Sequence, residues 1–381
     1  MKVLIIIPAF PINLENIKGG VNSALSNLLK GFASANIDVR IVSFNREISE
    51  LLKISYSPNI DIYYTPEGKM PHVFNFLFKG SKSIKKHIQE FNPTIVHYAM
   101  SGYILMTKVF GLLNKVDVVT IHGVPFREAK TKINLKEKLV YYTNGIVERL
   151  LCPKNVIHIS SYSHALYSNR STDHFTIIPN AIGLEYFKMP LKKGTSNKLI
   201  YIGTIEARKN ILFILKTLKV LNNKGVFFSL TVLGGFTDDT YKNEVIEFIN
   251  ENHLQEFVTF YGWQEQVKLL EILRQSDILI LSSKQETLPM VIAEAMSAGK
   301  VVVSSNVGGI PEMIKNDEDG FLFDNSSTDN LIPILERLYN NDVLVEKIQL
   351  QARNRAMETY NCERVANKTL SFYKLVTQSN F

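Results

Sequence analysis

The chain is poor in cysteine. It has two, Cys152 and Cys362, in 381 residues. So few, so far apart, make neither a disulfide framework nor metal-ligand spacing, which fits a reducing compartment. A long apolar run is missing near the start. Residues 3–7 are too short to span a membrane. No small-residue cleavage site follows, so no secretory signal is expected, and a first buried strand accounts for the run. Short-period repeats and low-complexity tracts are absent. No GxGxxG follows the first strand. Ser43 and Phe44, not an acid, close the strand 39–42, which argues against a nicotinamide-binding Rossmann site.

The length predicts two domains. A hydrophobic content of 45% is ample for two cores. Charge is uneven: residues 1–190 hold 22 Lys and Arg against 13 Asp and Glu, and residues 191–381 hold 21 against 23. The basic half suits an anionic partner, such as a membrane surface or a polyanionic acceptor, or else a plain solvated lysine surface. No nucleic-acid recognition motif is present, and no nucleic-acid partner is expected.

Strands alternate with helical spacing. Residues 3–7, 39–42, 94–97, 116–121 and 156–160 read as strands, and 177–183 as a short strand broken by Pro179. Gly19-Gly20 opens a helix with Val21, Leu25, Leu28, Leu29 and Phe32 on one face. The polar stretch 191–198 reads as a linker. The pattern then restarts with strands at 199–203, 227–233, 258–261, 278–281, 301–304 and 321–323. Residues 329–371 are helical in pattern. Two α/β domains, each with a parallel sheet, and a cleft between them are expected.

The most informative stretch runs from Ser282 to Met296. A buried strand ends, Glu286 lies in the turn, and Pro289 suits the first turn of a helix that carries Glu294. Helix N-termini favour phosphate, and a carboxylate on the helix accepts hydrogen bonds from sugar hydroxyls. Together they point to a nucleotide sugar. Gly203 to Asn210 follows another strand. Gly203 lets a ligand approach the backbone, and Arg208 and Lys209 suit a diphosphate leaving group. Neutralising it is electrostatic catalysis. A solvated pair at a helix start is the plainer alternative.

Gly19-Gly20 is either a phosphate- or sugar-approaching loop or a hinge. His122, before Gly123, ends a strand, where ligands bind in such sheets; alone it reads as structural. His97 and His158 lack a following glycine. Residues 317–320 (DEDG) read as a turn rather than a metal loop, and Asp238 as a helix cap. No catalytic metal is expected. Residues 74–86 mix aromatics with lysines, as on an anionic lipid surface or a core helix with a solvated face.

Together these residues resemble the retaining GT-B glycosyltransferases of family 4, the group 1 glycosyltransferases. The resemblance covers nearly the whole chain and is densest from Ile178 to Phe323. Glu286 to Glu294 matches the paired-glutamate motif, Val307 to Glu312 the stretch after it, and Gly203 to Asn210 the diphosphate loop. Pro179 to Ile182 resembles the family's Pro-Asn-Gly signature, and Gly19-Gly20 and His122-Gly123 the N-terminal loops. The resemblance implies two Rossmann-like domains with parallel sheets facing each other across a cleft. Residues 1–190, with the returning helix 361–381, would bind acceptor, and residues 191–360 the nucleotide-sugar donor.

It further implies that Glu294 binds the ribose hydroxyls, that Glu286 with Thr287 and Leu288 holds the donor sugar, and that Arg208 and Lys209 stabilise the diphosphate. Gly203 and Thr204 would line the donor, His122 would contact its sugar, and Gly19 and Gly20 would approach sugar or phosphate. Thr204 stands where many members carry Arg. Thr287-Leu288-Pro289 replaces a Gly-rich version, and Ala181 the usual Gly. The expected activity is metal-independent retaining transfer from a nucleoside diphosphate, a uridine one, to a saccharide or lipid-linked hydroxyl. It would serve bacterial surface polysaccharide or glycolipid synthesis, in the cytoplasm or peripherally on the inner membrane face, with no cofactor. A nucleotide-sugar epimerase of the same fold and a non-catalytic nucleotide-sugar-binding partner are the alternatives.

Overall fold

The structure, a computed structural model, describes the chain except residues 16, 68–79, 101–115, 124–125, 127–134, 152–153, 168–173, 192–196 and 379–381. The chain forms two compact units. One comprises Met1–Leu14, Lys18–Ala181 and Cys362–Phe381; the other comprises Glu15–Ile17 and Ile182–Asn361.

The first unit is built on β1 (Lys2–Ile7), α1 (Gly20–Ala33), β2 (Asp38–Asn45), β3 (Leu52–Ser57), β4 (Ile60–Pro66), α2 (Ser81–Phe91), β5 (Ile95–Tyr98), β6 (Val116–Ile121), α3 (Leu135–Leu151), β7 (Asn155–His158), α4 (Ser161–Ala165) and β8 (His174–Ile177). Among the described residues its eight strands run β3-β4-β2-β1-β5-β6-β7-β8. β1 is apolar and buried from Val3 to Ile7, as a strand covered on both faces must be. The sheet is parallel except at its edge, where β3 pairs antiparallel with β4.

The hairpin β3–β4 is absent from the sequence reading. Leu52–Ser57 alternates with lysine and serine and is half solvated, so it carries no continuous apolar signal. Its turn residue Asn59 donates to the carbonyls of Phe32, Ala35 and Ile37, satisfying orphan groups at the end of α1. The strand expected at 177–183 lies instead at His174–Ile177. Pro179 has no N–H to give a ladder.

The second unit comprises α5 (Leu184–Phe187), β9 (Lys198–Ile202), α6 (Ile211–Asn223), β10 (Ser229–Leu233), α7 (Asp239–Glu251), β11 (Val258–Gly262), α8 (Gln266–Gln275), β12 (Ile278–Leu281), α9 (Met290–Ser297), β13 (Val301–Ser305), α10 (Ile310–Met313), β14 (Phe321–Phe323), α11 (Ile332–Leu338) and α12 (Asp342–Thr359). Its six strands are parallel, in the order β11-β10-β9-β12-β13-β14. β12, β9 and β13 are central and apolar. The order reverses beside β9, so the loops after β9 and β12 diverge at a switch point, where ligands bind in open α/β sheets.

The first unit ends at Ala181, not at residue 190. Tyr186, Phe187 and Met189 are buried in the core of the second unit, which draws residues 182–190 into it. Most of the expected linker lies outside the described residues. The last helix, α13 (Cys362–Gln378), returns to the first unit and packs on α1. Gly31 makes that packing possible: a Cβ there would stand 2.7 Å from the Ala366 Cβ. Of the aromatic–lysine stretch, residues 74–79 lie outside the described residues. The described remainder enters α2, which buries Ile84 and His87 and exposes Lys82, Lys85 and Lys86.

Asp238 caps α7 by accepting from the Tyr241 N–H at 2.7 Å. The 317–320 stretch is a turn. Asp317 has φ +63°, and Asp319 accepts from the Lys315 N–H and pairs with Arg355.

Candidate functional site

The candidate site of the second unit is built where β9 and β12 end. Gly203 has φ +151°, and Gly234, at the end of neighbouring β10, has φ +138°. A Cβ on Gly234 would lie 1.9 Å from the Gly203 carbonyl oxygen, so the two strand ends meet backbone to backbone. The buried Tyr201 hydroxyl donates to the Thr204 carbonyl at 2.7 Å and fixes the start of the loop. Its far end is tied to β12: Ser282 Oγ donates to the Asn210 carbonyl at 2.7 Å, and the Lys284 N–H to the Arg208 carbonyl at 2.8 Å.

These ties bring Arg208 and Lys209 onto Glu286. Lys209 Nζ lies 2.5 Å from Glu286 Oε1, and an Arg208 nitrogen 3.8 Å from Oε2. Arg208 also donates to the Gln285 carbonyl at 2.9 Å and pairs with Glu206 at 2.7 Å. Ser283 Oγ donates to Glu286 Oε1 at 2.7 Å. Glu286 is only 7% exposed, so its charge needs these partners. Its backbone is held as well. The Gly309 N–H donates to its carbonyl. Gly308 has φ +59°, and a Cβ there would fall 1.7 Å from that carbonyl oxygen. The glycine pair of the 307–312 stretch therefore seats Glu286.

The cations are thus partnered within the protein. A bound anion would share them with Glu286 and Glu206 and so exchange one set of charge-assisted bonds for another.

Pro289 precedes α9 as its N-cap, one residue earlier than the first helical turn, and no side chain caps the helix. Thr287 and Leu288 lie half-buried in the turn before it. One turn into α9 stands Glu294. Burial raises its carboxyl to about 7, a hydrogen bond from Tyr186 pulls it down, and the nearby Glu185 charge pushes it up. Part of the side chain still reaches solvent. The same sheet edge carries Trp263, the single tryptophan, 58% exposed and lying against Gly235.

Gly19, Gly20 and His122 belong to the first unit. Gly19 has φ +89° and precedes α1, whose N-terminus has no side-chain cap. His122 follows β6 and lines a cavity of about 40 Å³ with His97, Thr120 and Asn180. Burial lowers its pKa to about 4, against a hydrogen bond with Asn180, so it is neutral. His97 bridges Tyr373 Oη at 2.5 Å and Thr120 Oγ1 at 2.7 Å, linking α13, β5 and β6.

Among the described residues no group of three or more His, Cys, Asp or Glu is placed to hold a metal, and no helix is long and apolar enough to cross a membrane. Sequence reasoning missed Glu206, Ser283, Tyr186 and the His97 bridge. Glu206 stands two residues before Arg208 in a loop already singled out. The others required the three-dimensional neighbours.

Two family models and several relatives match the chain. Residues 184–355 match the family "Glycosyl transferases group 1", and residues 18–186 match "Glycosyltransferase Family 4". The chain is 26% identical to an Escherichia coli UDP-Gal:alpha-D-GlcNAc-diphosphoundecaprenol alpha-1,3-galactosyltransferase, over 77% of this chain and 79% of the relative. It is similar in fold to a sucrose-phosphate synthase from Thermosynechococcus elongatus, with a TM-score of 0.84, 18% identity and 99% of each chain covered. An Anabaena protein, HepE, solved in complex with UDP-glucose, gives 0.74 and 15%, covering 97% of this chain and 99% of that one. Two α/β units of the GT-B kind, both matched by glycosyltransferase models, lead to one conclusion: the chain is a glycosyltransferase of family 4, the group 1 glycosyltransferases.

Proposed function

We propose that the protein is a retaining glycosyltransferase that takes a sugar from a uridine diphosphate donor and delivers it to a saccharide or lipid-linked hydroxyl. The observation that carries this reading is the Arg208–Lys209–Glu286 cluster at the ends of β9 and β12, with Glu294 on the helix that follows. Glu294 accepts from the ribose hydroxyls. Arg208 and Lys209 meet the departing diphosphate, where fixed positive charge stabilises the transition state without reorganisation. Glu286, with Thr287 and Leu288, holds the donor sugar. Gly203 and Thr204 leave room for the donor against the backbone.

His122 contacts the donor sugar as a neutral hydrogen-bonding group, and Gly19 and Gly20 approach sugar or phosphate. The diphosphate oxygen sits beside the incoming hydroxyl, which attacks from the leaving-group face and retains configuration. The two cations serve in place of a metal. The acceptor reading draws support from the Escherichia coli relative, whose name gives a diphosphoundecaprenol-linked acceptor. On this reading the protein serves bacterial surface polysaccharide or glycolipid synthesis, in the cytoplasm or peripherally on the inner membrane face.

The test is turnover with a panel of UDP- and GDP-sugars and lipid-diphosphate-linked saccharides, reading released nucleoside diphosphate and product anomer by NMR. Turnover should survive EDTA and be abolished by Lys209→Ala and by Glu294→Ala. Undiminished turnover in both variants, or an inverted product, overturns the reading.

A further inference from the structure

We propose that α3 is a docking helix for an anionic lipid bilayer: its exposed apolar stripe enters the bilayer surface, and the lysines on the same face of the sheet meet the headgroups. The purpose of such docking, access to a lipid-linked acceptor, rests on the reading proposed above. The surface itself belongs to the first unit and is independent of the donor site.

α3 turns apolar side chains outward. Leu135 is 80% exposed and Leu139 64%, and Tyr142 and Ile146 are exposed as well. Their spacing is i, i+4, i+7 and i+11, so they form one stripe along the helix. Val140 widens it. A helix of a globular protein normally buries such a stripe, yet α3 is seated by another side. A Cβ on Gly145 would lie 2.8 Å from the Phe126 ring, and the Phe126 and Tyr142 ring centroids are 6.1 Å apart. Gly145 stands about a quarter of a turn round the helix from Ile146. The seated side and the stripe therefore differ, with Tyr142 at their border. Contiguous exposed apolar surface marks an interaction site.

The topology sets cations on the same face. α2 joins β4 to β5 and α3 joins β6 to β7, both crossing the sheet in the same direction. Right-handed crossovers then lay both helices on one face. α2 packs Ile84 there, in a cluster with Ile6, Val96, Val119 and Val156. α1 joins β1 to β2 in the opposite direction, so α1 and the α13 packed on it lie on the other face and leave α3 uncovered. The outward side of α2 carries Lys82, Lys85 and Lys86 against one acid, Glu90, which pairs with Lys86 at 3.8 Å. The sequence of α3 adds Lys136, Lys138 and Arg149 against Glu137 and Glu148.

An anionic bilayer suits this combination. Leucine, isoleucine and tyrosine enter the boundary between headgroups and acyl chains, while lysine stays among the headgroups. A second copy of the chain would set the same cations against each other. α3 is also too short for a coiled coil: its 17 residues hold about two heptads, fewer than a coiled coil sustains. It is too short and too charged to span a bilayer, so it lies on one.

The test is co-sedimentation of the full-length protein with vesicles of phosphatidylcholine alone and of equal parts phosphatidylcholine and phosphatidylglycerol, at low and high salt. Wild type should bind the anionic vesicles about tenfold more tightly than the neutral ones and lose that advantage as salt rises. Leu139→Ser with Ile146→Ser should weaken binding to the anionic vesicles about tenfold, with circular-dichroism melting near wild type. Lys82→Glu with Lys85→Glu should remove the preference for anionic lipid. Both double variants should keep wild-type affinity for UDP.

No binding of wild type to anionic vesicles, or equal binding by wild type and the Leu139→Ser, Ile146→Ser variant, overturns the inference. So does a wild-type dimer in solution that this variant converts to monomer without any vesicle binding. If that variant fails to fold, the lysine variant decides: unchanged affinity for anionic vesicles overturns the inference. Vesicle binding that both variants lose, with no turnover on any lipid-linked saccharide, upholds the surface and overturns the acceptor reading alone.

Discussion

Lys209 Nζ and Glu286 Oε1 lie 2.5 Å apart although 77 residues separate them in the chain. The pair joins the loop after β9 to the turn after β12. A nearly buried carboxylate that loses its cation keeps its desolvation penalty. Lys209→Ala should therefore lower unfolding stability by about 1–3 kcal/mol as well as remove turnover. Adding Glu286→Gln should restore part of the stability and none of the activity. Urea unfolding of the two single variants and the double variant measures the coupling.

Gly308 is expected to tolerate no side chain. Its φ of +59° and the 1.7 Å approach of a Cβ to the Glu286 carbonyl both oppose substitution. Gly308→Ala should cost more than about 1 kcal/mol and weaken nucleotide binding, because Glu286 must shift to make room. Thermal melts with and without UDP separate the two effects: stabilisation by UDP equal to that of wild type would show that Glu286 had not moved.

Stability should depend on pH through two opposed sets of groups. Glu294 holds its proton more tightly folded than unfolded between about 4.5 and about 7. Its ionisation therefore costs stability as pH rises through that window, by at most about 3 kcal/mol. His97 and His122 are lowered by burial to about 3 and about 4 from 6.5. The folded chain binds fewer protons there than the unfolded one, so the stability they contribute at neutral pH is lost as pH falls below 6.5. Glu294→Gln should remove the opposing contribution and steepen the rise of stability with pH between about 5 and 6.5. His97→Gln should weaken the acid destabilisation. Tm measured from pH 8 to pH 4.5 reads both.

Trp263 offers a direct signal. It is the single tryptophan, it is exposed, and it stands at the end of β11 on the edge that carries the candidate donor site. UDP titration should change the intrinsic fluorescence saturably. The change should be absent in Glu294→Ala at the same UDP concentrations. Fluorescence that does not respond to UDP while calorimetry reports binding would place the nucleotide away from this edge.

Much of the donor-side reading was legible because it is local. The run Ile278–Leu281, the acid Glu286 and the helix after Pro289 are consecutive, and a buried parallel strand announces itself by unbroken apolar residues. Arg208 and Lys209 were legible for the same reason, as charges at a strand end. The edge hairpin β3–β4 was not, since a half-solvated strand alternates and blends with loop composition. The extent of the second unit was missed because nothing in residues 182–190 reveals which core Tyr186 and Phe187 enter.

By itself, then, the sequence determined the alternation of strands and helices, the two successive sheets and the chemical kinds of group at the strand ends, because each depends on neighbours a few residues away. Tertiary structure alone decided which of those groups touch. Glu286 meets Lys209, and Glu294 meets Tyr186, through parallel strand order and helix packing. Such contacts span tens to more than a hundred residues, so no local pattern records them.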